Sequence, residues 1–161
     1  MYRLGSVLSI GVTGGLIALA AALFVATLLG VAMRRRAGQF RPAPPGTPAK
    51  TAGTLTEADL GAGLGRQATL VQFSTAWCAP CRPTREILAQ VASMADGVNH
   101  VEIDAATRLD LVQRLRINST PTILVLDRDG AIVNRAAGLP TKADVIAALG
   151  TAVRAEDGSR K

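Results

Sequence analysis

The stretch Trp77-Cys78-Ala79-Pro80-Cys81-Arg82 lies between a predicted strand and a predicted helix. Two cysteines separated by two residues at a helix start can bring their sulfur atoms within bonding distance. The Cys78 sulfur would lie beside free backbone N–H groups and the positive end of the helix dipole, which lower a thiol pKa and favour the nucleophilic thiolate. Cys81, one turn further in and more covered, is placed to attack a mixed disulfide and release the product. The pattern predicts a redox-active dithiol in which Pro80 fixes the turn.

The alternatives for this pair are a metal site or two incidental core thiols. The chain has 2 cysteines and 1 histidine, and a zinc site would need more ligands than the pair supplies. His100 is the only non-carboxylate candidate, and a lone histidine in a strand is more often a packed or surface residue. A CxxC at a strand–helix junction therefore favours redox chemistry, with no metal and no cofactor expected.

Around the cysteines the sequence alternates helical and strand patterns. Thr56 with Asp59 and Thr141 with Asp144 fit capping boxes, and Asp129-Gly130 fits a hairpin turn. Helices are predicted over 56–64, 82–94, 109–115 and 141–153, and strands over 68–74, 98–104, 122–127 and 131–135. The order α-β-α-β-α-β-β-α predicts an α/β fold, with a mixed central sheet flanked by helices on both faces.

Over residues 55–155 the chain resembles the thioredoxin family. Trp77 to Cys81 is similar to the family's WCxPC active site, and strand residues 70–73 precede it as in the family. Thr120-Pro121-Thr122 resembles the family's cis-proline segment, and Gly138 resembles the glycine that lines the substrate groove. The resemblance implies a thioredoxin-like fold and thiol–disulfide exchange with protein disulfide substrates. It also implies a groove at Thr120, Pro121 and Gly138, where the Thr120 backbone can pair with an extended substrate strand.

The chain departs from the family pattern near the cysteines. Gln72 stands where thioredoxins usually have a buried acid, which is thought to relay a proton to or from the second cysteine. An amide cannot ionise, so the relay must use water or another group. Ala79 replaces the commoner glycine, and the residues before Trp77 are more polar than usual. With no histidine between the cysteines, we expect a reducing potential, nearer about −270 mV than about −120 mV.

The N-terminal segment has a different character. From Leu4 to Met33, 30 consecutive residues are uncharged and mostly apolar. At about 1.5 Å per helical residue this run exceeds a hydrocarbon core of about 30 Å. We expect one transmembrane helix over residues 8–32 that contacts the lipid bilayer. A cleaved signal peptide is the alternative, but its apolar stretch is about 7–15 residues, and a stop-transfer block follows at residues 34–36.

Charge is divided unevenly along the chain. Residues 1–50 carry 6 basic and no acidic groups, whereas residues 51–161 carry 12 of each. The balanced folded part gives no indication of a nucleic-acid partner. Because the basic block follows the apolar run, the positive-inside rule predicts a single-pass plasma-membrane protein with its folded domain in the cytoplasm. The opposite orientation is the alternative.

We therefore expect an anchor over residues 1–36, a Pro/Gly-rich linker over 37–55, a thioredoxin-like domain over 56–155 and a polar tail over 156–161. The leading hypothesis is a membrane-tethered oxidoreductase that reduces protein disulfides and is regenerated by an electron-donating reductase or dithiol. One alternative is an outward-facing reductase for envelope or apocytochrome cysteines. Another is a non-catalytic binding module that uses the groove as an adaptor.

Overall fold

The computed structural model describes residues 4–36, 38–42 and 53–158, which divide into two units. The first unit is the helix α1, Leu4–Arg36, of 33 residues. Its segment Gly15–Ala32 is apolar, exposed and long enough to cross a membrane. This finding rests on length and composition, and a signal sequence near an N-terminus can pass the same test. Contact with a bilayer therefore stays a prediction.

The second unit is built on a five-stranded mixed sheet in the order β1-β5-β4-β2-β3. The pair β2–β3 is parallel, and the pairs β2–β4, β4–β5 and β1–β5 are antiparallel. The strands are β1 (Arg41–Pro42), β2 (Ala68–Ser74), β3 (Val98–Asp104), β4 (Thr122–Asp127) and β5 (Ile132–Ala137). The helices are α2 (Glu57–Leu60), α3 (Cys81–Met94), α4 (Leu109–Arg114) and α5 (Lys142–Gly158). The predicted α/β fold is confirmed.

Helices cover both faces of the sheet because alternate strand residues point to opposite sides. Every residue of β2 is buried. Its Val71 and Phe73 belong to the core cluster that contains Leu60 of α2 and Leu111 of α4. Its Ala68 and Leu70 belong to the cluster on the other face, which is formed with α3 and α5 through Leu88, Val91, Val145, Ala148, Leu149 and Ala152. The central strand is thereby fixed from both sides, which holds its C-terminal end in place.

Capping explains where the first domain helix begins and ends. Thr56 and Asp59 form the expected capping box, in which each side chain accepts from the other residue's backbone N–H. The helix stops at Leu60 rather than at residue 64, because Gly61 has a φ of 65° and its N–H bonds to the Glu57 carbonyl. This left-handed C-terminal cap is typical of glycine.

Part of the predicted linker contacts the domain. Arg41 and Pro42 pair with β5, and the Gly38 N–H donates to the Ala137 carbonyl at 2.6 Å. Thr54 forms a bridge with Ala131 in the same unit. The linker expected over residues 37–55 is thus not a free tether at its described ends. Residues 37 and 43–52, and the tail residues 159–161, lie outside the described part of the chain. The sequence pattern missed β1 because a two-residue strand with a proline shows no periodicity.

Candidate active site

The two cysteines lie where β2 passes into α3. The Cys78 N–H bonds to the Thr75 carbonyl at 3.2 Å, and the Cys81 N–H bonds to the Cys78 carbonyl at 3.1 Å. Pro80 is the N-cap of α3 and provides no side-chain hydrogen bond to the helix. No side chain caps the first turn, and the positive end of the helix dipole lies at the end of α3 that carries Cys81.

Cys78 and Cys81 form a disulfide with a Cα–Cα distance of 5.3 Å. The two cysteines differ in exposure, since Cys78 is partly exposed whereas Cys81 is only 3% exposed. An incoming sulfur atom can therefore reach Cys78 first. The reading of the pair as two unrelated core thiols is wrong, because the fold brings them into a covalent bond.

The surface beside the disulfide is apolar and open. Trp77 is 97% exposed, and Ala79 and Pro80 are also exposed. An exposed indole of this size is unusual, because burying an aromatic ring is favourable. The indole of Trp77 therefore lies open to solvent in the residue that precedes Cys78.

We expect the fluorescence of Trp77 to increase when the disulfide is reduced. This is the only tryptophan of the chain, and an adjacent disulfide quenches an excited indole by accepting an electron. Emission spectra recorded before and after addition of a dithiol measure the effect. A Cys81→Ala variant, which cannot form the bond, is the control and should show no change. An unchanged spectrum in the parent chain would contradict the prediction.

The predicted groove residues lie together next to this loop. The Thr120–Pro121 peptide bond is cis, as the resemblance implied. The Thr120 hydroxyl shares a 3.3 Å hydrogen bond with the Thr75 hydroxyl, and the Gly138 N–H donates to the Pro121 carbonyl at 2.8 Å. The structure therefore brings Thr120, Pro121 and Gly138 to the side of the disulfide loop. Their part in substrate binding stays a prediction.

Gln72 is fully buried directly beneath the cysteines. Its Nε2 donates to the carbonyl oxygen of Cys81 at 2.9 Å, while its Oε1 has no hydrogen-bond partner among the described residues. The amide thus binds the backbone at the start of α3.

A carboxylate lies on the strand next to Gln72. Glu102 of β3 is the register partner of Gln72, and it accepts hydrogen bonds from the Ser74 hydroxyl at 2.6 Å and from Arg85 of α3 at 2.7 Å. Burial raises the pKa of Glu102, but the hydrogen bonds from Arg85 and Ser74 and the Arg85 charge bring that pKa below its ordinary value. His100 on the same strand has its pKa lowered, mainly by burial.

Sequence reasoning did not single out this charged group. The alternation of β3 could have placed His100 and Glu102 on one face. The contact of Glu102 with Arg85 depends on the packing of α3 across the strand, which no local pattern encodes. Glu102 is the carboxylate that the sheet register places beside the neutral Gln72.

The lowered pKa makes the contribution of Glu102 to stability dependent on pH. A carboxyl whose pKa is lower in the folded state stabilises the fold above its unfolded-state value, and this contribution is lost as the pH falls through the folded-state pKa. Glu102→Gln should therefore lower the free energy of unfolding at neutral pH, and the deficit should disappear in acid. Urea unfolding of the parent protein and of Glu102→Gln over a pH series measures this difference in the free energy of unfolding. A deficit independent of pH would contradict the assignment.

Comparison with known proteins agrees with this arrangement. The thioredoxin family model matches residues 54–151. The chain is 31% identical to thioredoxin of Mycobacterium tuberculosis over 85 residues, which is 52% of this chain and 72% of that protein. It is 36% identical to a thioredoxin-like protein of Synechocystis over 81 residues, or 50% of this chain and 76% of that one.

The solved structure of thioredoxin-2 from a malaria parasite has the same fold, with a TM-score of 0.51 at 17% identity, covering 58% of this chain and 90% of that one. The family match spans strands β2 to β5, the cysteine pair and the cis-proline segment. The chain therefore belongs to the thioredoxin family and is a thiol–disulfide oxidoreductase.

Proposed function

We propose that the protein is a membrane-tethered reductant of protein disulfides that works through the Cys78/Cys81 couple. The observation that carries the proposal is the unequal exposure of two bonded cysteines at the N-terminus of α3. The partly exposed Cys78 is suited to attack a substrate. The covered Cys81 is suited to attack only the bond that its neighbour has formed.

The reaction transfers two electrons from the dithiol to the substrate. The Cys78 thiolate attacks one sulfur of the substrate disulfide, the substrate S–S bond breaks, and the departing substrate sulfur takes up a proton. Cys81 then loses its proton and attacks the Cys78 sulfur, which breaks the mixed disulfide and releases the second substrate thiol. The enzyme is left as the disulfide seen in the structure. A reductase or small dithiol returns two electrons and two protons.

The groove would hold the substrate during this exchange. Thr120 is partly exposed, and it is fixed beside the disulfide loop by its bond to Thr75. An extended substrate segment lying between the Trp77 ring and Thr120 would bring its disulfide to Cys78. Backbone pairing of this kind accepts many sequences, which suits a general reductant of proteins.

Tethering through α1 is the second part of the proposal. The apolar segment Gly15–Ala32 supports it, together with the basic residues at 34–36 and at 41 that follow the helix. The positive-inside rule favours a plasma-membrane location with the folded domain in the cytoplasm. In the opposite orientation, the folded domain would face outward and the same site would reduce envelope or apocytochrome cysteines.

Two experiments test these parts separately. Reduction of insulin disulfides by the purified full-length chain tests the activity, and absence of exchange would leave the groove as an adaptor surface. Labelling with a membrane-impermeant thiol reagent in intact, dithiol-treated cells tests the orientation. Protection of Cys78 until the cells are lysed supports the cytoplasmic assignment, and labelling in intact cells would reverse it. Release of the chain by carbonate extraction would contradict tethering.

A further inference from the structure

We propose that residues 38–42, here called the N-terminal clasp, position the groove loop 138–140 for protein substrates. The inference rests on the proposed reduction of protein disulfides. It assigns a positioning role to a segment that precedes the family domain, since the family match begins only at residue 54.

One peptide group connects the clasp to the groove. The carbonyl of Ala137 accepts the Gly38 N–H at 2.6 Å, and the N–H of Gly138 donates to the Pro121 carbonyl at 2.8 Å. These two bonds use the C=O and the N–H of the same trans peptide, which point in opposite directions. The groove glycine is therefore held between the clasp on one side and the cis-proline segment on the other.

Gly38 is in closer contact with the loop than any other residue type would allow. Its φ is 88°, in the region that favours glycine, and a Cβ at this position would overlap the carbonyl oxygen of Leu139. The same Cβ would lie 2.6 Å from the Leu139 carbonyl carbon and 2.9 Å from Pro140 Cα. All three atoms belong to the backbone of the loop, so any side chain at residue 38 must displace the clasp or the loop.

The remaining clasp residues fix it to the domain. Phe40 packs against the core cluster on the α3 and α5 face of the sheet. Arg41 and Pro42 pair with Arg135 and Asn134 of β5. The clasp is thus attached by an aromatic side chain and by backbone pairing, while its glycine contacts the loop.

The expected consequence concerns substrate binding rather than sulfur chemistry. The loop touches the cis-proline segment, whereas the disulfide is held by its own turn and by the start of α3. A displaced loop should weaken the docking of a folded protein. It should leave unchanged the exchange with a small disulfide that needs only access to Cys78.

Gly38→Ala in the full-length chain tests the inference. We expect the KM for insulin to rise about five- to tenfold while kcat stays unchanged, because the substitution alters positioning alone. The rate with the small disulfide DTNB should equal that of the parent. Amide exchange measured by NMR should become faster at Gly138, because its peptide group loses support from the clasp.

Gly63→Ala is the matched control, since a Cβ there would meet only the Glu57 carboxylate at 3.6 Å. Phe40→Ala is a second variant, which removes the packing of the clasp against the domain without introducing a clash. If Gly38→Ala does not fold, the same measurements on Phe40→Ala test the inference. Unchanged KM and Gly138 exchange in the folded variants would overturn the inference, as would an equal loss of DTNB activity. A parent chain inactive on insulin would instead overturn the proposed function, and Gly138 exchange would still test the clasp.

Discussion

Cys78→Ser should lower the rate of insulin reduction by at least about 10³-fold, because the reaction loses its nucleophile. A serine hydroxyl is not ionised near neutral pH and forms no disulfide with the substrate. Cys81 cannot take over the attack, since it is only 3% exposed beneath the loop. Turbidity of the precipitating insulin chains, followed in the presence of dithiothreitol, measures the rate against the uncatalysed background.

Cys81→Ser should give a different defect, a trapped intermediate. The Cys78 thiolate can still attack, but no second thiol is present to break the mixed disulfide. Non-reducing electrophoresis should show mixed disulfides between Cys78 and substrate proteins, and these adducts should disappear when a dithiol reduces them. The double variant, with serine at both positions, is the control and should form none. Adducts that appear with Cys78→Ser instead would reverse the two roles, and full activity of Cys78→Ser would refute the assignment.

Phe73→Ala should lower the free energy of unfolding of the domain by about 3–5 kcal/mol, the usual cost of removing a buried aromatic side chain. Phe73 is fully buried on the central strand and packs in the cluster with α2 and α4. Because a domain of this size is stable by only about 5–15 kcal/mol, the loss would be a large fraction of the total.

Urea unfolding followed by far-ultraviolet circular dichroism measures this change. Tryptophan emission is unsuitable, because Trp77 is 97% exposed in the folded state. Leu109→Ala is the matched control, since that side chain is 60% exposed and should cost far less. A loss for Phe73→Ala no larger than for Leu109→Ala would show that the central strand does not depend on this ring.

The fold was predictable from the sequence where burial dictates the pattern. The three strands 68–74, 98–104 and 122–127 have the observed bounds, because apolar and β-branched residues recur through each of them. The last helix runs to Gly158 rather than to residue 153, and β5 covers Ile132–Ala137 rather than residues 131–135. Ends of this kind depend on tertiary pairing, which a local pattern does not contain.

The site was predictable in its chemistry but not in its surroundings. The spacing of Cys78 and Cys81 is sufficient to indicate the redox pair, and the structure shows them bonded. The bond from Gln72 to the Cys81 carbonyl and the contact of Glu102 with Arg85 depend on how α3 lies across the sheet. The contact of Gly38 with the loop joins residues about one hundred positions apart, so no neighbouring residue signals it.

The short strand Arg41–Pro42 also bears on how the protein behaves at high concentration. The outer strand of an open sheet exposes unpaired backbone groups that recruit another chain and lead to aggregation. Here β1 already pairs with Asn134 and Arg135 of β5, and Pro42 has no N–H with which to extend the ladder. The exposed charge of Arg41 would repel an identical strand. Copies crowded together should therefore stay separate along this border and not fuse into a shared sheet.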